Sequence, residues 1–444
     1  TAVWPHLHSL FLHLAAAFIL ARLLGQLGLT RAGSTAAAAL FLVHPALVES
    51  VAWIASRKDL LSGLFSFLCL SAVARHALVP RHRTVAMAMI WAVLALYSKG
   101  TAVVLALLAP VVVSLVAGSL RGRWRLSASI ASLAFLAGLH HSWVAAGEGT
   151  LQTLDFATRT LQIPGAFAHY LGTIVWPTGL NIHYPEVKTL SIFVTNWLLG
   201  LASFGLPLLG LMLWHRGHRQ AGAGIIMACL ALLPFNTAYP ASAIAAADRY
   251  LYLVVPWSAF AFVSMFGSRS RMGLLLVVIA VLSMGWLAHS RVAEFRDSRT
   301  LWASSLATEP ENAVACLNLA EALQHTAPDR AFELAASAVK HARYIEHRLR
   351  SELTVSRLAR ARGSLAEAAV HAEVACAVAD EILAPGPRRE AFVRAAVHAA
   401  NVAIADEKPK PAQEYLEKAL ARYPEHPLVR SQQALMLLRG SIRE

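Results

Sequence analysis

Charge is scarce in this sequence, and acid is scarcest of all. Of 444 residues only 15% are Asp, Glu, Lys or Arg, and 57% are hydrophobic; an ordinary soluble domain holds about 25% and about 45–50%. The shortage is uneven. Residues 1–290 hold six acids, Glu49, Asp59, Glu148, Asp155, Glu186 and Asp248, against 18 Lys and Arg, whereas residues 291–444 hold 20 acids against 21 bases. The first stretch reads as a membrane domain and the second as a nearly neutral soluble domain. The net charge of +13 collects in short connections between apolar runs, where basic residues set membrane orientation, so it does not indicate a nucleic-acid partner. Cysteine is also sparse. Cys69, Cys229, Cys316 and Cys376 do not make a disulfide framework and read as buried free thiols. No secretory signal is visible, and no Cys/His/Asp spacing of a metal site is present. No metal is assigned, and a divalent metal has no support in the sequence.

What is present is apolar length. A spanning helix needs about 20 mostly apolar residues. Ten stretches qualify: roughly 7–24, 33–47, 60–78, 84–98, 101–118, 127–146, 191–213, 220–236, 250–267 and 272–290. The stretch 158–176 is apolar but interrupted by Pro164 and reads as an interfacial or re-entrant helix. The connections around Arg22/Arg31, Arg75/Arg81/Arg83, Arg121/Arg123/Arg125, Arg216/Arg219 and Arg269/Arg271 carry 12 basic residues and no acid. The alternate connections carry six bases, Arg57, Lys58, Lys99, Arg159, Lys188 and Arg249, and all six acids. The positive-inside rule makes the first set cytoplasmic. Ten spans then put both Thr1 and the soluble domain outside, with the carboxylates gathered on the outer face.

The soluble domain, 291–444, reads as all-helical, with Ala, Leu, Glu and Arg dominant and Pro or Gly between helical patterns. One kind of helix recurs at Asp329–Ala338, Leu365–Ala375 and Pro411–Pro424, with Leu334, Ala369 and Tyr415 in matching places. The spacing is near that of a tetratricopeptide repeat, lengthened once by Ala384-Pro-Gly-Pro-Arg-Arg. Three to four degenerate units are expected, stacked as a solenoid that binds peptide or protein.

The richest local pattern is His44-Pro45, then Glu49, then Val51-Ala52-Trp53, then Arg57-Lys58-Asp59. Pro45 ends or kinks a helix at the membrane boundary. The charges that follow either pair with one another at a helix end, or orient a base, a hydroxyl or a phosphate. This pattern closely resembles the transmembrane and tetratricopeptide repeat-containing proteins in their bacterial form. His8 and His13 in the first helix, Tyr97-Ser98-Lys99, Trp176-Pro177 with His183-Tyr184-Pro185, Ala247-Asp248-Arg249-Tyr250-Leu251-Tyr252, and the stretch Trp302 to Leu319 resemble further family motifs in the same order. The pattern departs from the family at Leu47, where the family has a second His, and at Gly100, where animal members have Glu.

The resemblance implies a C-type glycosyltransferase fold: an all-α polytopic bundle over 1–290 followed by a tetratricopeptide solenoid. It implies transfer of a sugar, mannose or another hexose, from a polyprenyl- or dolichyl-phosphate donor to Ser/Thr of extracytoplasmic proteins. No cofactor is required beyond that lipid-phosphate donor; membrane lipids and a protein or peptide acceptor held by the repeats are the partners. The family's principal acidic motif lies in a first outer loop, expected upstream of Thr1 in a longer chain. The expected location is a bacterial inner membrane with periplasmic repeats, or an ER membrane with luminal ones.

A lipid-phosphate donor needs cations at the membrane face, and Arg57, Lys58, Lys99 and Arg249 are the candidates. An acceptor hydroxyl needs a carboxylate to take its proton; Glu49, Asp59 and Asp248 are the candidates, secondary to the upstream acid. His44, His183, Tyr184, Tyr250 and Tyr252 are candidate substrate contacts, the tyrosines reading equally as an interfacial aromatic belt. A non-catalytic membrane scaffold recruiting envelope or secreted proteins is the rival reading. A transporter is disfavoured, because none of the six acids falls at mid-helix.

Overall fold

The computed structural model describes residues 3–120, 122–147, 156–184, 190–235, 246–267, 271–342, 344–381 and 387–433. Among these every regular element is a helix. Glu148, Asp155, Glu186, Arg121, Lys188, Arg269 and the first three residues, 384–386, of the expected insertion at 384–389 lie outside the described residues. Two compact units form: Thr1–Val144 with Gln152–Arg296, and Asp297–Glu444 with Ala145–Leu151.

The first unit runs α1 (Val3–Gln26), α2 (Arg31–Val43), α3 (Val48–Ala52), α4 (Arg57–Leu78), α5 (His82–Ser98), α6 (Leu105–Ala117), α7 (Trp124–Gly147), α8 (Phe156–Val175), α9 (Leu190–Ser203), α10 (Gly205–His215), α11 (Arg219–Leu232), α12 (Val255–Phe266) and α13 (Arg271–Val292). Among the described residues six helical stretches are long and apolar enough to cross a membrane, or seven if the bent pair Arg31–Val43 and Pro45–Ala52 counts as one. Of the ten expected, 84–98, 220–236 and 250–267 contain helices of 17, 14 and 12 residues, shorter than the about 20 residues of a typical straight crossing. At 158–176 the helix runs through Pro164 without ending.

These helices are apolar on both faces, for a physical reason. In α1 the inward residues Leu12, Ala16, Leu20 and Leu23 recur at helical spacing, while Phe11, Leu14 and Phe18 are exposed. In α13 Leu274, Leu275, Val278, Ile279 and Leu282 are all exposed. Exposing that much hydrocarbon to water costs about 25 cal/mol per Å²; a helix greasy all round is stable where lipid covers it. The interior is packed edge-to-face by aromatics from four helical segments. Phe41 lies 5.8 Å from Phe67 and 5.2 Å from Tyr252, and Phe67 lies 6.3 Å from Trp257.

The second unit runs α14 (Ser298–Thr308), α15 (Ala313–Leu323), α16 (Pro328–His341), α17 (Ile345–Ala361), α18 (Leu365–Asp380), α19 (Pro387–Ala405) and α20 (Pro409–Arg422). Each helix packs on the next, and α15 also touches α17, and α17 touches α19. Small residues permit this. Ala331, Ala335 and Ala338 in α16, Ala368, Ala372 and Ala375 in α18, and Ala412, Leu416 and Ala419 in α20 are buried at one shared spacing. In that register His371, not Ala369, stands where Leu334 and Tyr415 stand. His371 meets the buried Glu352 of α17 through Nδ1 at 2.6 Å.

A buried ion-pair cluster as candidate functional site

Pro45 breaks the path of α2, and the chain turns by 56° into the short α3. His44 caps the turn. Its Nδ1 accepts from the Ala46 N–H at 3.3 Å, and its Nε2 meets the Ile174 carbonyl at 3.2 Å, so Nε2 carries the proton of a neutral ring. The turn carries Glu49 into the interior, where it is 1% exposed. There it accepts from the Arg249 backbone N–H at 3.1 Å and from the Arg249 guanidinium at 2.5 Å. The guanidinium lies 5.1 Å from the Trp53 ring and 5.2 Å from that of Tyr250.

Arg249 sits in a 3₁₀ stretch, Asp248–Leu253. The neighbouring Asp248, 1% exposed, accepts from Tyr184 Oη at 2.6 Å, and Tyr184 Oη in turn accepts from the Asn181 N–H at 2.9 Å. The other carboxylate oxygen of Asp248 lies 3.6 Å from Arg291. Arg291 also donates to the Leu180 carbonyl at 2.9 Å and pairs with Glu294. A third pair closes the cluster: Lys99, at the end of α5, pairs with Asp59 in the first turn of α4. Lys99 Nζ lies 4.9 Å from the Tyr250 ring, so Tyr250 is the shared aromatic neighbour of Lys99 and Arg249. Asp59 Oδ2 is buried and takes no hydrogen bond from the described residues.

Burial sets the protonation of these groups. It pushes the Asp248 carboxyl up to about 8, helped by the Glu49 charge and opposed by Arg291 and the Tyr184 hydrogen bond. Burial also lowers the Lys99 ammonium, and Asp59 pulls it back. Burial thus favours the protonated form of Asp248 over its carboxylate. The three central cations face three carboxylates, with Glu294 as a fourth at the rim. An anion entering here gains a free cation when one carboxylate is protonated or displaced.

Of the residues singled out in the sequence, Glu49, Asp59, Asp248, Lys99, Arg249, Tyr184 and Tyr250 come together. The others do not join them. Lys58 is exposed. Arg57 is half-buried and spends its Nε on the Ile54 carbonyl at 3.2 Å. His44 is engaged at the helix break. His183 is half-buried, with its backbone N–H on Asn181 Oδ1 at 3.2 Å. Tyr252 is a core residue whose hydroxyl meets His13 Nδ1 at 2.9 Å. Sequence reasoning missed Arg291, which a boundary at 290 assigns to the soluble domain. The compact membrane unit runs to Arg296, and Arg291 is buried within it. The available signal was its place directly after the last apolar run. Among the described residues no three His, Cys, Asp or Glu side chains are grouped to hold a metal. The sequence matches no protein-family model and no curated protein.

Proposed function

We propose that this chain is a membrane glycosyltransferase of the C type, resembling the transmembrane and tetratricopeptide repeat-containing proteins. It moves a hexose from a polyprenyl- or dolichyl-phosphate donor to Ser/Thr hydroxyls of extracytoplasmic proteins. The carrying observation is the convergence of Lys99, Arg249 and Arg291 with Asp59, Glu49 and Asp248, brought from separate segments to one end of the apolar helices. Cations at a membrane boundary suit a lipid phosphate, and a carboxyl whose proton affinity burial has raised suits proton transfer from a hydroxyl. The helices of the second unit serve as tetratricopeptide-like repeats that present the acceptor. By the basic asymmetry of the connections, the cluster and the repeats face the periplasm, or the lumen in an ER membrane.

The rival reading, a non-catalytic scaffold, is favoured by one observation: each of the three buried cations already holds a carboxylate. The two part in a transfer assay on the purified protein with a polyprenyl-phosphate hexose and Ser/Thr peptides. Hexose on the peptide, detected by mass, supports the enzyme. Peptide retained by the protein without hexose, under conditions where the donor also binds, supports the scaffold.

A further inference from the structure

The opposite end of α4 from Asp59, about 30 Å along a helix of this length, borders a cavity of about 550 Å³. The ends of α1, α4, α6, α10 and α12 and the start of α11 line it. Four of the candidate spans end here, at Gln26, Leu78, Ala117 and His215, so the cavity sits where apolar helix gives way to polar connection. Gly28 and Gly217 turn the chain there with φ of +98° and +91°. The left-handed φ at both positions favours glycine, and the Gln220 side-chain amide lies against Gly28. The volume falls within the range of about 300–1,000 Å³ typical of ligand sites.

The lining is two-natured. Gln26, Arg219 and Gln220 supply polar groups, while Leu78, Met265 and Phe266 are apolar and exposed. The charge around it has one sign. Among the described residues the connections at this end hold ten arginines and no acid, and none of the ten forms an ion pair. The buried cations of the other end are each neutralised by a carboxylate; these are not. Arg219 spends one N–H on the Ser114 carbonyl at 2.9 Å and lies 5.2 Å from the Trp214 ring, which leaves most of its five donors.

We propose that this cavity binds the headgroup of an anionic glycerophospholipid, its phosphate met by Arg219 and its acyl chains lying over Leu78, Met265 and Phe266. Complementary charge selects the anion, and the greasy rim at a membrane boundary selects a lipid over a free ion. The site is separate from the ion-pair cluster and does not depend on the glycosyltransferase reading.

Native mass spectrometry of the detergent-purified protein tests this with phosphatidylglycerol and phosphatidylcholine as probes. The protein should retain one phosphatidylglycerol in preference to phosphatidylcholine. Arg219→Gln, which keeps a donor for the Ser114 carbonyl, should lower that retention about fivefold. Arg83→Gln, outside the lining, should leave it unchanged. Gln26→Glu provides a second route: it keeps the acceptor for the Ser71 hydroxyl, now at 3.0 Å, while adding a negative charge to the cavity, and should also release the lipid. Equal retention of the two lipids, or undiminished phosphatidylglycerol in both folded variants, would overturn the proposal. Displacement of phosphatidylglycerol by millimolar inorganic phosphate would also overturn it, by making this a free-anion site.

Discussion

At the scale of single residues, Arg249 and Glu49 make the most telling pair. The guanidinium and the backbone N–H both serve one carboxylate; a lysine keeps the backbone N–H but replaces the planar guanidinium, which also lies against Trp53 and Tyr250, with a point ammonium. If Arg249 also grips a donor phosphate in turnover, Arg249→Lys should fold and lose about 2–4 kcal/mol of transition-state stabilisation, roughly a 30- to 1,000-fold drop in transfer. An unchanged rate would take Arg249 out of the site. Asp248 gives a pH prediction. Its carboxyl is raised to about 8 by burial and the Glu49 charge, above its value in the unfolded chain. Its contribution to stability is therefore full below the unfolded value, near 3.8, and is lost as pH rises through the folded one. The melting temperature of the detergent-solubilised protein should fall across that window, and Asp248→Asn should flatten the fall. Tyr184→Phe removes a hydrogen bond that favours the carboxylate, so it should move the transition to higher pH; a transition that stays or moves down contradicts the assigned bond.

At the scale of elements, the break between α2 and α3 matters most, because it delivers Glu49. His44 holds it by satisfying both the Ala46 N–H and the Ile174 carbonyl. Removing the ring in His44→Ala leaves those groups short of a partner, at a cost of about 1–3 kcal/mol. The close passage of α4 past the 3₁₀ stretch that carries Asp248 and Arg249 depends on Gly63. A Cβ there would run into the ring of Tyr252, which is itself fully buried. Gly63→Ala should therefore cost about 1–3 kcal/mol, read as a lowered melting temperature, and should disturb the cluster through Tyr252. A wild-type melting curve would mean that the ring can swing aside.

At the scale of the whole molecule, charge separates the two ends of the membrane unit. One end holds buried, mutually paired ions, and at the other, among the described residues, the arginines have no carboxylate partner. The basic excess predicts that the unpaired end faces the cytoplasm. Single cysteines at Arg123 and Lys340 test the orientation in whole cells. A membrane-impermeant thiol reagent should label Lys340→Cys and spare Arg123→Cys; the reverse pattern would invert the orientation and put the ion-pair cluster on the cytoplasmic side.

The sequence by itself determined the class of structure. Apolar length marks membrane-crossing helices, and Ala-rich periodicity marks the second helical array, because both follow from local composition and helical spacing. It also pointed to most of the cluster, since ionisable groups are rare enough in residues 1–290 for each to stand out. Only tertiary structure decided which of them meet. Arg57 and Lys58 adjoin Asp59 in the chain, yet Asp59 pairs with Lys99 across a helix boundary, and Asp248 reaches past its neighbour to Arg291. Tyr252 and Tyr250 sit two residues apart, but one is locked against Gly63 in the core while the other contacts both Lys99 and Arg249. A 3₁₀ stretch points neighbouring side chains in different directions, and a helix break re-aims everything after it. Neither direction is encoded in residue type, so the partner of a buried ion is set by what the packed helices bring within reach.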